Sequence, residues 1–226
     1  MLKIYLYLPY YPNLIIFLFI TCIARGRYNA WADLRSWASA GHFFKEQFGV
    51  IDFVSSKPES FDVSPVDYSD DVDGTALRGY LALPDEKWER PLPAVVIMPD
   101  WTGVDDYEKR RAELLKEAGY VAFAADIYGL DNQRELTIDE RIALVTSFFS
   151  DPELFVRRMQ LAVDQVKAHM DVDVDEIAMI GYCFGGSAVV YYAFSGAEDV
   201  KAVVAYHGSF TNFPVPQRPV KPYVLM

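Results

Sequence analysis

Six consecutive residues contain the side chain best suited to nucleophilic chemistry in this sequence. They are Gly181, Tyr182, Cys183, Phe184, Gly185 and Gly186, preceded by an apolar run and followed by a run of small and β-branched residues. This order predicts a strand, a sharp turn and a helix, with the Cys183 thiol at the tip of the turn. A thiol at a helix N-terminus lies beside free N–H groups and the positive end of the helix dipole, which favour the thiolate. We therefore expect Cys183 to act as a nucleophile.

The glycines of this segment are expected to serve packing. In a turn from strand to nucleophile to helix, a side chain at Gly181, Gly185 or Gly186 would crowd the place where strand and helix cross. The Phe184 N–H opens the predicted helix and can face a developing oxyanion. A buried structural cysteine in a glycine-rich turn is the simpler alternative, and the flanking strand and helix patterns argue against it.

Composition argues against several other classes of site. Two cysteines, Cys22 and Cys183, and three histidines show no CxxC or HxxxH spacing, so we predict no metal site. The sequence has no phosphate-binding glycine loop. The net charge of −11 argues against a nucleic-acid partner, because proteins that bind nucleic acids display a basic face.

The N-terminal segment differs in composition from the rest of the chain. Residues 4–24 carry no charge and could form the apolar part of a signal peptide, a membrane anchor, or a stretch created by a wrongly assigned start. We expect a leader at 1–25, an extension at 26–58 and a catalytic domain at 59–226. A secretory or organellar location is the favoured prediction, with the cytoplasm as the alternative, and membrane contact is expected only through residues 4–24.

Strands and helices alternate through the predicted catalytic domain. Turn residues Asp73 and Gly74 predict a β-hairpin, and the apolar run from Pro93 to Pro99 predicts a strand buried on both faces. Capping patterns predict helices after Asp105, Thr137 and Asp151. Further strands are expected at 121–125, 176–180, 200–205 and 220–226, with Asp171, Asp173 and Asp175 in a polar loop. The predicted fold class is α/β, with a mainly parallel central sheet.

Residues 60–226 resemble the dienelactone hydrolase family of the α/β-hydrolase fold. The resemblance rests on three segments in the family's order: Met98 to Val104, Gly119 to Gly129, and Gly181 to Gly186. It implies cofactor-free hydrolysis of a small ester or lactone, in which Cys183 forms an acyl-enzyme that water then cleaves.

The resemblance also implies roles for residues near the thiol. The N–H groups of Phe184 and Trp101 match the family's oxyanion-hole positions. Asp100 falls where the family carries a carboxylate, usually glutamate, near the resting thiol. We expect it to bond that thiol and to move aside when substrate enters, with a structural loop aspartate at the end of a strand as the alternative. A structural role is favoured for Asp126. Arg141 lies on a helix where some family members present arginines to a substrate carboxylate, and a solvated helix arginine is the favoured alternative.

The family places an aspartate and then a histidine after the strand that Val220 to Met226 would form. The sequence ends before either position. We therefore expect that the chain lacks the family's last strand and closing helix, and that its activity is impaired. His207 precedes the expected position of a base and has no evident acid partner, so we expect a structural role for it. The alternatives are a non-catalytic binding or regulatory protein of this fold and, less favoured, a redox-sensing cysteine. The expected assembly is a monomer or a weak homodimer.

Overall fold

A mostly parallel sheet forms the centre of the computed structural model, which describes residues 61–85, 91–209 and 219–226 and the backbone of 5–6 and 14–17. In these residues the sheet has the strands β1 (Tyr5–Leu6), β2 (Leu14–Phe17), β3 (Ser64–Asp70), β4 (Thr75–Ala82), β5 (Leu92–Met98), β6 (Val121–Ala124), β7 (Val172–Tyr182), β8 (Ala202–Tyr206) and β9 (Tyr223–Leu225). Their order across the sheet is β1-β2-β9-β8-β7-β5-β6-β4-β3. Pairing is parallel from β2 through β9, β8, β7 and β5 to β6. The predicted α/β class is confirmed.

The helices are α1 (Asp106–Glu117), α2 (Ile138–Ser150), α3 (Pro152–Lys167) and α4 (Phe184–Phe194), with a short 3₁₀ turn at Leu130–Asn132. The capping patterns of the sequence locate their starts correctly. Asp105 and Thr137 each form a complete capping box, with Glu108 and Glu140 respectively. The Asp151 side chain accepts a hydrogen bond from the Leu154 N–H, and Pro152 follows it at the start of α3.

Helices cover both faces of the sheet. Alternate residues of β5 point to opposite faces, so Val96 packs with the apolar face of α3 and with α4, while Val95 and Ile97 pack with α1. Both faces are fully apolar along β5, as predicted for a strand buried on two sides. This arrangement fixes the carboxyl ends of β5, β7 and β8 side by side.

The start of β7 differs from the sequence-based expectation. Asp173 and Asp175 belong to the strand, which begins at Val172. Val172 pairs with Leu92, and regular pairing resumes only at Ile177 and Ala94, so the register is irregular between these two pairs. The predicted polar loop is therefore wrong for Asp173 and Asp175, because pairing on both sides of them keeps the chain extended, whereas Asp171 lies in the turn before the strand.

The hairpin of β3 and β4 matches its prediction and is tied to α3 by buried ion pairs. Asp70 is 1% exposed and contacts the guanidinium groups of Arg157 at 2.8 Å and Arg158 at 3.3 Å. Asp73 in the turn adds a contact of 2.7 Å with Arg158. These contacts hold the edge of the sheet against the helix layer.

Two short strands, β1 and β2, lie within the segment predicted to be a leader. β2 pairs in parallel with β9, and β1 pairs with β2 in the antiparallel sense. The division into a leader, an extension and a catalytic domain stays a prediction. Among the described residues, none of the helices has both the length and the apolar character needed to span a bilayer.

Candidate active site

Cys183 lies at a tight bend between β7 and α4, as the sequence predicts. Its backbone has φ 53° and ψ −113°, a region that residues with a side chain rarely adopt. The Cys183 N–H donates to the Tyr206 carbonyl at 2.9 Å, and its own carbonyl accepts from the Ser187 N–H at 3.1 Å. Backbone hydrogen bonds on both sides therefore hold the strained residue in place.

The glycines around Cys183 allow the backbone of the bend to lie close to the backbone of neighbouring segments. A Cβ on Gly181 would collide with the backbone of Gly185, and a Cβ on Gly185 would collide with the carbonyls of Met98 and Pro99. Gly186 lies against β8, where an added Cβ would be 2.8 Å from the Tyr206 carbonyl oxygen. The predicted packing role of these glycines agrees with this geometry.

The Cys183 thiol is exposed, and its pKa is raised above its ordinary value. Partial burial of the sulfur is the largest cause, and the nearby Asp100 carboxylate adds to it. The Phe184 N–H acts in the opposite direction and lowers the pKa. The N–H at the helix terminus thus favours the thiolate, but desolvation and a like charge outweigh it, so the net shift of the pKa is upward.

Two backbone N–H groups lie on the residues expected to form an oxyanion hole. Phe184 is the first residue of α4, where N–H groups have no partner within the helix, and Trp101 lies in the loop after β5. In the part of the chain that the structure describes, neither N–H donates to a protein oxygen. Both are thus available to a developing negative charge, and their catalytic role stays a prediction.

Aromatic packing fixes the Phe184 side chain. Its ring stacks on Phe155 at a centroid distance of 5.4 Å and an interplanar angle of 10°, and it meets the edge of Phe149 at 5.6 Å. Tyr128 and Phe148 complete the cluster at 5.9 Å and 6.1 Å. The ring anchors the first turn of α4, and with it the Phe184 N–H next to the thiol.

Asp100 lies near Cys183 and forms its hydrogen bonds within its own loop. Its Oδ1 accepts from the Thr102 N–H at 2.7 Å and from the Thr102 hydroxyl at 2.6 Å. Among the described residues no hydrogen bond joins Asp100 to the thiol, although its charge raises the pKa of Cys183. The expected contact with the resting thiol is not formed in this structure. Sequence reasoning overlooked Thr102, for which the only signal is a hydroxyl two residues after an aspartate.

A cavity of about 510 Å³ lies beside the Asp100–Gly103 loop and is lined partly by Thr102, Tyr128, Lys109 and Arg141. Cys183 is not among its lining residues, so the cavity adjoins the thiol site without containing it. The Arg141 guanidinium lies 5.9 Å from the centroid of the Trp101 ring. Arg141 is half-buried at this cavity, which corrects the expectation of a solvated helix arginine.

Asp126 has the structural role that was predicted. It is 2% exposed and accepts hydrogen bonds from the N–H groups of Arg78, Tyr128 and Gly129. Burial raises the pKa of Asp126 in spite of these donors. The carboxylate therefore binds the loop after β6 to the hairpin.

His207 lies at the same edge of the sheet as Cys183. It follows Tyr206, which pairs with Tyr182 in the neighbouring strand, and it is exposed. The loop after it is held by Ser187 of α4, whose hydroxyl donates to the Ser209 carbonyl at 2.8 Å and accepts from its N–H at 2.9 Å. The structural role expected for His207 stays a prediction. No group of three or more possible metal ligands occurs in the described residues.

Comparisons with known proteins show which family this chain resembles. A structure of a dienelactone hydrolase-like promiscuous phosphotriesterase from metagenomic libraries is 32% identical, with a TM-score of 0.59, covering 66% of this chain and 60% of that one. The carboxymethylenebutenolidase of Pseudomonas putida is 27% identical over 125 residues, which cover 52% of this chain and 51% of that protein. A Bradyrhizobium protein named "Probable 2-oxo-3-(5-oxofuran-2-ylidene)propanoate lactonase" is 29% identical over 61% of this chain and 53% of its own length.

The chain spans about half the length of the curated relatives it matches. The sequence profile of the dienelactone hydrolase family matches residues 77–222, which include the loop after β5, the bend at Cys183 and the strands that position both. This chain therefore belongs to the dienelactone hydrolase family.

Proposed function

We propose that this chain carries the nucleophile and oxyanion-binding groups of a hydrolase that cleaves a small ester or lactone through an acyl-enzyme on Cys183. The observation that carries the proposal is the exposed Cys183 thiol at a strained bend, directly before the N-terminus of α4. Relatives whose names describe lactone hydrolysis support the substrate class and do not favour the non-catalytic alternative.

The reaction begins when Cys183 Sγ attacks the substrate carbonyl carbon and the thiol proton passes to a base. The resemblance to the family implies that this base is a histidine oriented by an aspartate. Because the pKa of Cys183 is raised at rest, the thiol is mainly protonated before substrate binds, so the base contributes directly to the rate.

The carbonyl oxygen becomes negative in the tetrahedral intermediate. We expect the N–H groups of Phe184 and Trp101 to donate to this oxygen, since loss of one such donor typically costs about 10²–10³ in turnover. The C–O bond to the leaving alcohol then breaks, and the alcohol oxygen takes the proton from the base. In a lactone this alcohol stays attached to the acyl group as a hydroxyl. Water attacks the thioester, returns a proton to the thiol and releases the acid.

Hydrolysis of p-nitrophenyl acetate tests the proposal. The parent chain is compared with its Cys183→Ser and Cys183→Ala variants. We expect hydrolysis above the buffer rate that falls in both Cys183 variants. Equal rates in Cys183→Ala and the parent would refute a role for this thiol.

A further inference from the structure

Thr102 holds Asp100 through two hydrogen bonds to the same carboxylate oxygen. The Thr102 N–H is 2.7 Å and the Thr102 hydroxyl oxygen 2.6 Å from Asp100 Oδ1. No other protein group donates to the Asp100 side chain in the described residues. The carboxylate is thus bound by the loop that carries it.

The Thr102 hydroxyl has a second possible acceptor in Asp105, the N-cap residue of α1. Asp105 Oδ2 lies 3.4 Å from the hydroxyl, while Asp105 Oδ1 accepts from the Tyr107 N–H at 2.7 Å as the cap of α1. The Asp105 N–H in turn donates to Glu108 Oε2 at 3.0 Å, which fixes the cap. A threonine hydroxyl has one hydrogen to donate, and an O–H···O separation of 2.6 Å is far better than one of 3.4 Å. The Thr102 hydroxyl therefore donates its hydrogen bond to Asp100.

The Asp100 carboxylate has a second possible partner in the thiol. Asp100 directly follows Met98 and Pro99, whose carbonyls lie against Gly185 of the bend, so the loop that carries Asp100 lies beside Cys183. Its charge also raises the pKa of the thiol. A thiol donates weakly to oxygen acceptors, and a hydrogen bond to a carboxylate would stabilise its protonated form further. Both Thr102 donors bind Asp100 Oδ1, and in the described residues the carboxylate held in this position forms no hydrogen bond with Cys183. The position of this carboxylate thus affects how easily the thiol ionises.

We propose that Thr102 is a positioning residue that keeps the Asp100 carboxylate bonded within its own loop and away from the Cys183 thiol. The inference deepens the proposed function and rests on it, since a thiol that gives up its proton more readily is the better nucleophile. Thr102 acts here through Asp100 and need not touch the substrate.

Other titratable and charged groups face this loop from the neighbouring elements. They are Asp105 at the N-cap of α1, Glu108 and Lys109 within α1, Tyr128 after β6, Arg141 of α2 and Cys183 itself. The experiment leaves all of them unchanged and alters only Thr102 and Asp100.

The test measures how the rate of Cys183 alkylation by iodoacetamide depends on pH. The full chain carries Cys22→Ser so that one thiol reacts. Thr102→Val should raise the midpoint of the alkylation profile by about one pH unit, the size expected from one redirected hydrogen bond. At pH 7.5 this is roughly a threefold to tenfold slower reaction. Thr102→Ser should restore the parent midpoint, because it keeps the hydroxyl.

Two controls separate this role from a general effect on folding. Ser69→Ala removes a hydroxyl in the distant hairpin that, like the Thr102 hydroxyl, donates to an aspartate two positions away, in this case Asp71. This variant should leave the midpoint of the alkylation profile unchanged. Asp100→Asn should lower the midpoint by removing the like charge, and Thr102→Val should then add no further shift. Thr102→Ala provides a second variant with the same expected upward shift, should the valine variant fold poorly.

An unchanged or lowered midpoint in Thr102→Val and Thr102→Ala would overturn the inference. So would an equal upward shift in the Asp100→Asn background, since Thr102 would then act without Asp100. Alkylation does not require hydrolysis. A chain that shows these shifts but hydrolyses no ester refutes the proposed function, whereas a Cys183-dependent hydrolase without the shifts refutes only the role of Thr102.

Discussion

Cys183 and His207 directly follow two tyrosines that are register partners in adjacent parallel strands, Tyr182 and Tyr206. Both have a positive φ, 53° for Cys183 and 43° for His207, and in the described part of the chain they alone share this feature among residues other than glycine. The Cys183 N–H donates to the carbonyl of Tyr206 at 2.9 Å, so the two strained residues are coupled through one peptide. Backbone strain is common at functional sites, so these two residues support the proposed location of the active site at this edge of the sheet.

Replacing His207 by glycine should relieve its backbone strain. Glycine adopts a positive φ without steric cost, so we expect the free energy of unfolding to rise by up to about 1 kcal/mol in His207→Gly. Urea denaturation followed by circular dichroism measures this change. A matched loss in His207→Gly and His207→Ala would show that the His207 side chain, and not its backbone, contributes the stability.

Glycine at position 185 should be essential for the fold. Gly185→Ala forces a Cβ into the carbonyls of Met98 and Pro99, and we expect it to cost about 3 kcal/mol or more in the free energy of unfolding. Gly196→Ala is the control, because its Cβ would meet nothing within 4 Å and only its positive φ of 94° opposes the change. That variant should lose about 1–2 kcal/mol. Equal losses would contradict the packing argument.

Two capping-box glutamates should respond to pH in opposite directions. Burial raises the pKa of Glu108 to about 8, so the folded state binds more protons than the unfolded state between the ordinary value of 4.5 and about 8. The stability that Glu108 contributes is therefore lost as pH rises through this window, at about 1.4 kcal/mol for each pH unit at most. The Arg134 guanidinium lowers the pKa of the exposed Glu140 to about 2, and its contribution is lost as pH falls from 4.5 towards that value.

Glutamine at each position separates these two effects. Glutamine can still accept the N-cap hydrogen bond, so Glu108→Gln should gain stability relative to the parent as pH rises from 6 to 9. Glu140→Gln should show no such gain over that range, and its difference from the parent should shrink below pH 4. Parallel denaturation curves for the parent and Glu108→Gln between pH 6 and 9 would contradict the raised pKa.

The ion pairs between the hairpin and α3 should contribute strongly to stability. Asp70→Ala leaves Arg158, whose side chain is 5% exposed, without one of its two anionic partners, and we expect a loss of about 3 kcal/mol. Asp71→Ala removes the neighbouring exposed carboxylate and should change stability by less than about 0.5 kcal/mol. Thermal unfolding of the two variants side by side decides the matter. Similar melting temperatures would mean that the buried pair contributes no net stability.

Local patterns predicted most of the elements that form the site. Capping residues located the starts of α1 and α2 because a cap acts on the three residues that follow it. The bend at Cys183 was predicted correctly because the glycine spacing itself reports where strand and helix cross. Asp173 and Asp175 were placed wrongly in a loop, since the residues that flank them, Val172 and Ile177, pair with β5 more than 70 residues away in sequence.

The electrostatics of the site could not be predicted in the same way. The Asp105-to-Glu108 spacing indicated a helix start but not that Glu108 is 1% exposed. Likewise, the helix N-terminus at Phe184 predicted a lowered pKa for Cys183, whereas burial and Asp100 raise it. Burial depends on which elements pack over a residue, and the sequence of one element does not contain that information.

Trapping the acyl-enzyme tests the central claim most directly. The protein is mixed with p-nitrophenyl acetate, quenched rapidly with acid, digested and examined by peptide mass spectrometry. We predict an acetyl group on the peptide that contains Cys183, removable by hydroxylamine and absent from Cys183→Ala. Release of p-nitrophenol with no acetyl group on Cys183, at a rate unchanged in Cys183→Ala, would contradict the account.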